Sequence, residues 1–371
     1  MVKKRFKFID LFAGIGGFHT AMHSIGGKCV FASELDKYAR ISYEANYENI
    51  SPQLFKKDKN GNYLYFNEDI NDIIPQNVPN FDICCGGFPC QPFSVAGLKK
   101  GFEDTRGTLF FNIANLVKEK INSGYPPRIL ENVRGLKSHD KGNTLKVILA
   151  TLDELGYGYS YEVLNAKYFG LPQNRERLFI IAWYKKLINV DNFRFPYGID
   201  PKGNTIYDKA KLKDGTILTK VSDIFEPSST IDKKFTISDR MWIGHQRRKE
   251  RNRQNGKGFG YSLFNGNDTY TSTISARYWK DGSEILIDQS DKGLNPRVLT
   301  PVEAGRLQGY RIIGNGWEDK ECAENLNYNS SNIEFKIAVS NKEAYRQFGN
   351  SVAVPVIKRI SKEILKQLLQ Q

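Results

Sequence analysis

The feature that most restricts this chain is a rhythm in its first half, where short β-rich runs alternate with helix-length patterns. The runs are RFKFIDLF (5–12), KCVFAS (28–33), FDICC (81–85), RILEN (128–132) and RLFIIAWY (177–184). Between them, Phe18, Ala21, Met22 and Ile25 form one helical face closed by Gly26 and Gly27, and TLFFNIANLVKEKI (108–121) predicts a longer helix. Crossovers of that size are what parallel strands need, so the expected fold class is α/β, a doubly wound, Rossmann-like sheet.

From about residue 186 to 295 the rhythm breaks into short segments rich in Asn, Gly, Asp and Lys, with the basic run HQRRKERNRQNGKG at 245–258. This predicts a second, smaller, irregular and β-rich domain. Near the end, VPVIKRISKEILKQLL (354–369) sets Val356, Ile360, Ile364 and Leu368 on one helical face, as a closing helix returning to the first domain would. The expected division is 1–185 plus 343–371 for the large domain and 186–342 for the small one, which the length of 371 residues accommodates. The polar DKKFTISD stretch (232–239) is the one candidate linker.

A net charge of +13 suits a polyanionic partner, although solubility alone would also explain it. No apolar run approaches the ~18 residues of a membrane span, and the basic, then apolar start leads into a glycine turn rather than a cleavage site. The five cysteines (29, 84, 85, 90 and 322) are odd in number and lack zinc spacing, which fits a reducing cytoplasm and no metal. His19 and His23 lie four apart without an acidic third ligand and suggest a helix surface.

Two segments carry chemistry. FIDLFAGIGGF (8–18) is a strand running into Gly14, Gly16 and Gly17 and then a helix, a turn that lets a ligand approach backbone N–H groups. It departs from the strict dinucleotide fingerprint, which counts against a nicotinamide dehydrogenase. Phe12 could stack on adenine, Glu34 stands after the second strand where an acid binds ribose hydroxyls, and Asp69 follows the third candidate strand. Each acid alone better suits an ordinary surface carboxylate; together at successive strand ends they suggest a nucleoside pocket. In the second segment, GGFPCQPFS (86–94), Cys90 follows a glycine pair and a proline beyond a strand, where a thiol can meet substrate. Cys84 and Cys85 sit within the apolar run and should be inert.

These segments, with ENV (131–133), QNRERLFIIA (173–182), LTPVEAGRLQGY (299–310) and QFGNSVAVPV (347–356), resemble the ordered motifs of DNA cytosine-5 methyltransferases. The stretch STISARYWKDGSEILID (272–288), with KGFGY before it, is similar to the Dcm group that methylates CCWGG-type sites. The resemblance implies an enzyme of bacterial restriction–modification that methylates carbon 5 of cytosine in duplex DNA from S-adenosyl-L-methionine, with Cys90 as covalent nucleophile on a base rotated out of the stack. It implies no metal, a cytoplasmic, nucleoid-associated monomer, and a cognate restriction endonuclease as partner at a CCWGG or CCNGG site.

The resemblance also distributes roles. Glu131 would protonate ring nitrogen 3 and should have a raised pKa. Arg177 would hold the cytosine carbonyl oxygen and Arg175 would support the cysteine end of the pocket, the two being expected on one face of a strand. Phe12, Ala13, Gly14, Gly16, Gly17, Glu34, Leu35, Asp69, Ile70 and Pro89 would line the cofactor, with Asn350 and Ser351 near its methionine carboxylate, where the GNSV turn opens the last helix. Leu35 stands where many relatives carry tryptophan, and Ala96 where some carry serine. The charged segment 95–108 resembles the family's mobile loop. Gln91, Ser94, Arg106, Arg247, Arg248, Arg251, Arg253, Tyr261, Arg277 and Tyr278 are the expected DNA contacts, with 245–258 on phosphates and 259–284 near base edges. Two rivals remain open. A transfer-RNA methyltransferase is disfavoured by more than a hundred residues between QNRER and LTPVE, and a catalytically silent DNA-binding regulator by the intact Cys90 and Glu131.

Overall fold

The computed structural model describes residues 5–87, 109–133, 139–212, 219–313 and 333–369. These form two compact units, 1–164 with 176–196 and 356–371, and 165–175 with 197–355.

The first unit is built on a seven-stranded sheet. Its strands are β1 (Phe6–Leu11), β2 (Gly27–Ser33), β3 (Phe66–Asn67), β4 (Ile83–Gly86), β5 (Arg128–Val133), β6 (Tyr157–Asn165) and β7 (Glu176–Tyr184), in the order β3-β2-β1-β4-β5-β7-β6. β1 pairs in parallel with both β2 and β4, and β5 extends the parallel run, whereas β7 lies antiparallel to β5. The doubly wound expectation holds, with β7 reversed against β5. The chain builds outward from β1 to β3 on one side and resumes with β4 on the other, so the strand order switches between β1 and β4. At such a switch the connections leave in opposite directions and open a crevice at the carboxyl ends of the strands.

Central strands are apolar on both faces because helices cover both sides of a parallel sheet. Ile9, Leu11, Cys84, Ile129 and Ile180 share a core with Phe110, Ile113 and Val117 of α3 (Leu109–Asn122) and with Ile148 and Leu152 of α4 (Asn143–Glu154). The closing helix Val354–Leu368 buries Val356, Ile360, Ile364 and Leu368, each worth roughly 1.5–3 kcal/mol. Its last turn is capped from the first unit itself: Arg128 donates to the Leu368 carbonyl through Nε at 3.1 Å and Nη2 at 2.7 Å.

The second unit is irregular, its described strands being two residues each: β8 (Gly198–Ile199) with β9 (Thr205–Ile206), and β10 (Leu263–Phe264), β11 (Leu286–Ile287) and β12 (Arg297–Val298) in a second small sheet. With so little ladder, side chains hold the backbone. Its helices are α5 (Asp239–Gln254), α6 (Pro301–Arg306) and Asn341–Asn350. α6 begins with a capping box, Thr300 Oγ1 accepting from Glu303 N–H and Glu303 from Thr300 N–H, with proline in its first turn. Arg306, fully buried, donates to the carbonyls of Ile224, Phe225 and Ile312.

The unit boundaries fall elsewhere than the composition suggests. Residues 165–175 join the second unit because Asn174 N–H donates to Thr271 O (2.9 Å), Thr271 N–H to Pro172 O (2.8 Å) and Ile274 N–H to Gln173 Oε1 (3.1 Å). Residues 343–355 belong there too: Tyr345 donates to Leu299 O (2.5 Å) and Gln308 to Phe348 O (2.9 Å). The proposed linker 232–239 is internal to the second unit, held by Ile237 N–H to Pro296 O (3.0 Å) and a bridge from Thr236 to Arg297.

Candidate active site

At the carboxyl end of β1 the chain reverses sharply. Phe12 (φ 54°), Gly14 (φ 55°) and Gly16 (φ 80°) all take the left-handed conformation, which costs the non-glycine Phe12 about 1–2 kcal/mol. The fold holds the turn by named bonds. Ala13 N–H donates to Ser33 O (3.0 Å), and Gly14 N–H donates to Glu34 Oε2 (2.7 Å). Glu34 Oε1 takes Asp36 N–H at 2.8 Å, so one carboxylate ties the β1 turn to the start of α2 (Lys37–Tyr47). Burial raises the Glu34 pKa, and the two N–H donors oppose the shift. A β-carbon on Gly14 would meet nothing within 4 Å, so the turn has open space above it. Leu35 beside it is 67% exposed, and Phe12 is half-buried.

Beneath the turn lies a polar cluster that the residue spacing does not reveal. Tyr47 is fully buried. Its Oη lies 2.7 Å from Gly16 O and 3.1 Å from Ile15 O, to which it donates, and accepts from Thr20 Oγ1 at 2.6 Å. A β-carbon on Gly16 would overlap the Tyr47 ring, which explains the glycine immediately before α1 (Gly17–His23). His19 corrects the expectation of a helix surface: it is fully buried, stacked on Tyr47 with ring centroids 4.1 Å apart. His19 Nδ1 bonds Tyr43 Oη (2.8 Å), Nε2 bonds Ser51 Oγ (3.1 Å), and Tyr43 donates to Asp10 Oδ2 (3.4 Å). Burial drives the His19 pKa well down and the Asp10 pKa well up. The cluster braces the turn from below through these bonds.

Asp69, two residues beyond β3, is half-buried, its Oδ1 accepting from Asn71 N–H (2.9 Å), with buried Ile70 next to it. Phe12, Glu34 and Asp69 therefore follow three adjacent parallel strands at one edge of the sheet.

The next strands carry the second half of the site. Gly86, the last residue of β4, pairs in register with Glu131 on β5. Glu131 is 1% exposed, and neither carboxyl oxygen has a hydrogen-bond partner among the described residues. Burial alone pushes its pKa up to about 8, so the group is a neutral acid at pH 7. A β-carbon on Gly86 would overlap Glu131 Oε1, so only glycine lets the carboxyl lie beside the end of β4. Cys29, Cys84 and Cys85 are buried thiols with pKa values raised well above normal by burial, which leaves them unreactive. Cys90, four residues beyond Gly86, lies outside the described residues, as do Pro89, Gln91, Ser94, Arg106 and the segment 95–108.

The two arginines of QNRER separate. β7 starts only at Glu176, so Arg175 precedes it and belongs to the second unit, which corrects the expectation of a shared strand face. Arg175 is buried and donates to three carbonyls, Ile274 (3.2 Å), Gly349 (3.1 Å) and Ser351 (2.5 Å), a tie within that unit. Arg177 lies half-buried in the first unit and donates to Glu176 O at 2.6 Å. Asn350 is exposed at the end of its helix. Ser351 N–H closes that helix by donating to Gln347 O (2.9 Å), so it does not open the last helix, which starts at Val354.

Among the expected DNA contacts, Arg247, Arg251, Arg253 and Arg277 are exposed and Tyr261 half-buried. Tyr278 is corrected to a core residue, 1% exposed, donating to Ile285 O (2.7 Å) and accepting from Leu299 N–H (2.8 Å). Arg248 is likewise engaged internally, with Asp281 Oδ2 (2.9 Å) and Gly260 O (2.7 Å). Among the described residues, no group of three or more His, Cys, Asp or Glu could hold a metal, and no helix is long and apolar enough to cross a membrane.

Residues 6–366 match the model of the family described as C-5 cytosine-specific DNA methylase. Over 366 residues the chain is 46% identical to the Type II methyltransferase M1.ScrFI of Lactococcus lactis subsp. cremoris, covering 98% of this chain and 79% of that one. It is 35% identical over 405 residues to the DNA-cytosine methyltransferase of Escherichia coli K12, covering 98% and 78%. Among solved structures, a DNMT2 mutant of Spodoptera frugiperda superposes with a TM-score of 0.66 over 97% of this chain and 99% of that one; at 20% identity this establishes the shared fold.

Proposed function

Because the chain belongs to the C-5 cytosine-specific DNA methylase family, as a DNA cytosine-5 methyltransferase of the Type II restriction–modification kind, we propose that it works through a covalent Cys90 adduct on a flipped cytosine, with S-adenosyl-L-methionine as donor. The observation that carries the reading is Glu131, a dry, neutral carboxylic acid in register with the end of β4 and thus near the start of the segment that bears Cys90.

Carbon 5 of cytosine is a poor nucleophile in the intact ring. Cys90 as thiolate adds to carbon 6, and the displaced ring electrons reach nitrogen 3, where Glu131 delivers its proton. An ionised Glu131 would oppose that negative charge, whereas the protonated acid neutralises it. S-Adenosyl-L-methionine, when bound, supplies an electrophilic methyl group on a sulfonium. Once carbon 5 is methylated, its proton leaves to a base, Cys90 departs as thiolate, and Glu131 regains the proton from nitrogen 3. Arg177 serves by resemblance as donor to the cytosine carbonyl oxygen.

The strand-end residues fit the donor's adenosine. Phe12 and exposed Leu35 offer apolar faces, Glu34 and Asp69 are acceptors for ribose and amino groups, and the space above Gly14 admits close approach to backbone. The Dcm-like stretch at 272–288 supports CCWGG or CCNGG as target.

Methyl incorporation into duplex DNA bearing those sites, into duplex DNA lacking them and into transfer RNA tests the substrate; activity confined to RNA overturns the reading. Cys90→Ser should abolish turnover while DNA binding persists. Bisulfite sequencing of DNA from expressing cells reads the target directly, and modification in unrelated contexts would remove the CCWGG/CCNGG assignment.

A further inference from the structure

α5 carries six basic residues, and the structure divides them into two sets. One set is already engaged. Arg248 is clamped to Asp281 and Gly260, Arg253 pairs with Glu250 along the helix surface (2.9 Å), and Lys249 lies 4.3 Å above the Tyr261 ring. Arg248 and buried His245 mark the side of α5 that faces inward.

Arg240, Arg247 and Arg251 form the other set. At 100° per residue they fall within about 40° of one another on the opposite face. All three are exposed, and no side-chain hydrogen bond or ion pair engages them among the described residues. Neither acid of α5 is paired with them: Asp239 accepts from Asn295 (2.6 Å), and Glu250 accepts from Arg253 and Gln254. Arg247 and Arg251 are an i,i+4 like-charge pair, which costs the free helix about 0.2–0.5 kcal/mol. Gly244, within the same face, would meet nothing within 4 Å if it carried a β-carbon, so packing does not require it, although glycine weakens a helix interior by about 1 kcal/mol. A face that is arginine-lined, unneutralised and stripped at its centre is poorly optimised for a protein alone. It suits a polyanion whose charges approach the helix closely.

We propose that Arg240, Arg247 and Arg251 form a phosphate-tracking face of α5 that grips the backbone of duplex DNA independently of sequence. This rests on the reading that duplex DNA is the substrate. The three residues span about 16 Å of helix axis at 1.5 Å per residue, a length over which one DNA strand carries about five phosphates at 3.4 Å each. Phosphate contacts fix register and orientation, leaving base selection to other parts of the unit.

The experiment is the salt dependence of affinity, read by fluorescence anisotropy with labelled duplexes with and without a CCWGG site. The triple variant Arg240→Gln, Arg247→Gln, Arg251→Gln should lower the log–log salt slope by about 2.7, at 0.9 per phosphate contact. Between 50 and 200 mM salt the parent should then lose about 40-fold more affinity than the variant, on both duplexes alike. The matching triple lysine variant should keep the parent slope, and far-ultraviolet circular dichroism with urea unfolding checks that both variants are folded. An unchanged slope in a folded glutamine variant overturns the proposal, as does a loss confined to the duplex bearing the site. Failure of the substrate reading looks different: the parent itself would transfer no methyl group to duplex DNA at any salt concentration.

Discussion

Two glutamates, one in each unit, are equally hidden from water and differ in everything else. Glu303 in the second unit receives Arg297 through both nitrogens (2.7 and 2.9 Å), Thr300 N–H (2.9 Å) and Glu226 N–H (3.0 Å). Glu131 in the first receives nothing among the described residues. A buried carboxylate either gathers donors and stays charged or goes without and holds its proton. The first arrangement organises an irregular unit that has little ladder of its own. The second stores a proton beside the strand end that leads to Cys90, and a fold gains nothing structural by leaving such a group unpartnered.

The largest test of that contrast is turnover. Glu131→Ala should lower kcat by ~10²–10⁴ if the carboxyl acts as the acid, and Glu131→Gln, which preserves shape but cannot transfer the proton, should stay well below the parent in methyl incorporation. Full activity in the glutamine variant would erase the distinction between the two glutamates. Next, Arg297→Met strands the Glu303 charge and should cost about 3–5 kcal/mol in urea unfolding, while adding Glu303→Leu should recover only part of the loss, because the N–H groups of Thr300 and Glu226 then lose their acceptor.

The third test is pH. Burial raises Glu131 from 4.5 to about 8, so its contribution to stability is fully present below pH 4.5 and is lost as pH rises through about 8. Relative to Glu131→Gln, the parent should lose stability across that window, on the order of 1 kcal/mol per pH unit at its steepest, measured by unfolding at several pH values. A parallel pair of curves would mean that the proton is not held there. Tyr47→Phe removes the hydroxyl beneath the glycine turn and should cost about 1–3 kcal/mol, with KM for S-adenosyl-L-methionine rising more than kcat falls. The smallest effect is expected at exposed Leu35. Leu35→Trp should tighten cofactor binding by about 0.5–1.5 kcal/mol in calorimetric titration.

How much of this was legible in the chain depends on how local the signal is. β1, β2, β4, β5 and β7 announce themselves as apolar runs because most are central and covered on both faces. β3 and β6 pass unnoticed because they are the two edges of the sheet, one only two residues long and the other, YGYSYEVLN, half-exposed with no apolar run. The reversal of β7 was invisible because an apolar run carries no direction. At the site, Gly14, Gly16, Glu34 and Glu131 were found from motifs, but Tyr43 and Tyr47, which brace the turn from α2, had no signal: an aromatic at helical spacing looks the same whether it packs or donates a bond. Tyr278 and Arg248 look like DNA contacts in the sequence because residue type says nothing about which neighbours claim a side chain.

The sequence by itself determined five of the seven strands of the large sheet, the glycine turn and the family, and it singled out Cys90 and Glu131 as the candidate reacting residues. These are local patterns, written in consecutive residues. Only the tertiary structure decided that Glu131 is dry and Glu303 partnered, that Arg175 and Arg177 part company, and that Arg240, Arg247 and Arg251 of α5 share one exposed face while Arg248 is clamped inside. The reason is physical. The charge state of a carboxyl and the availability of a guanidinium depend on desolvation and on donors or acceptors brought from distant parts of the chain, as Arg175 is engaged by carbonyls 99 to 176 residues away.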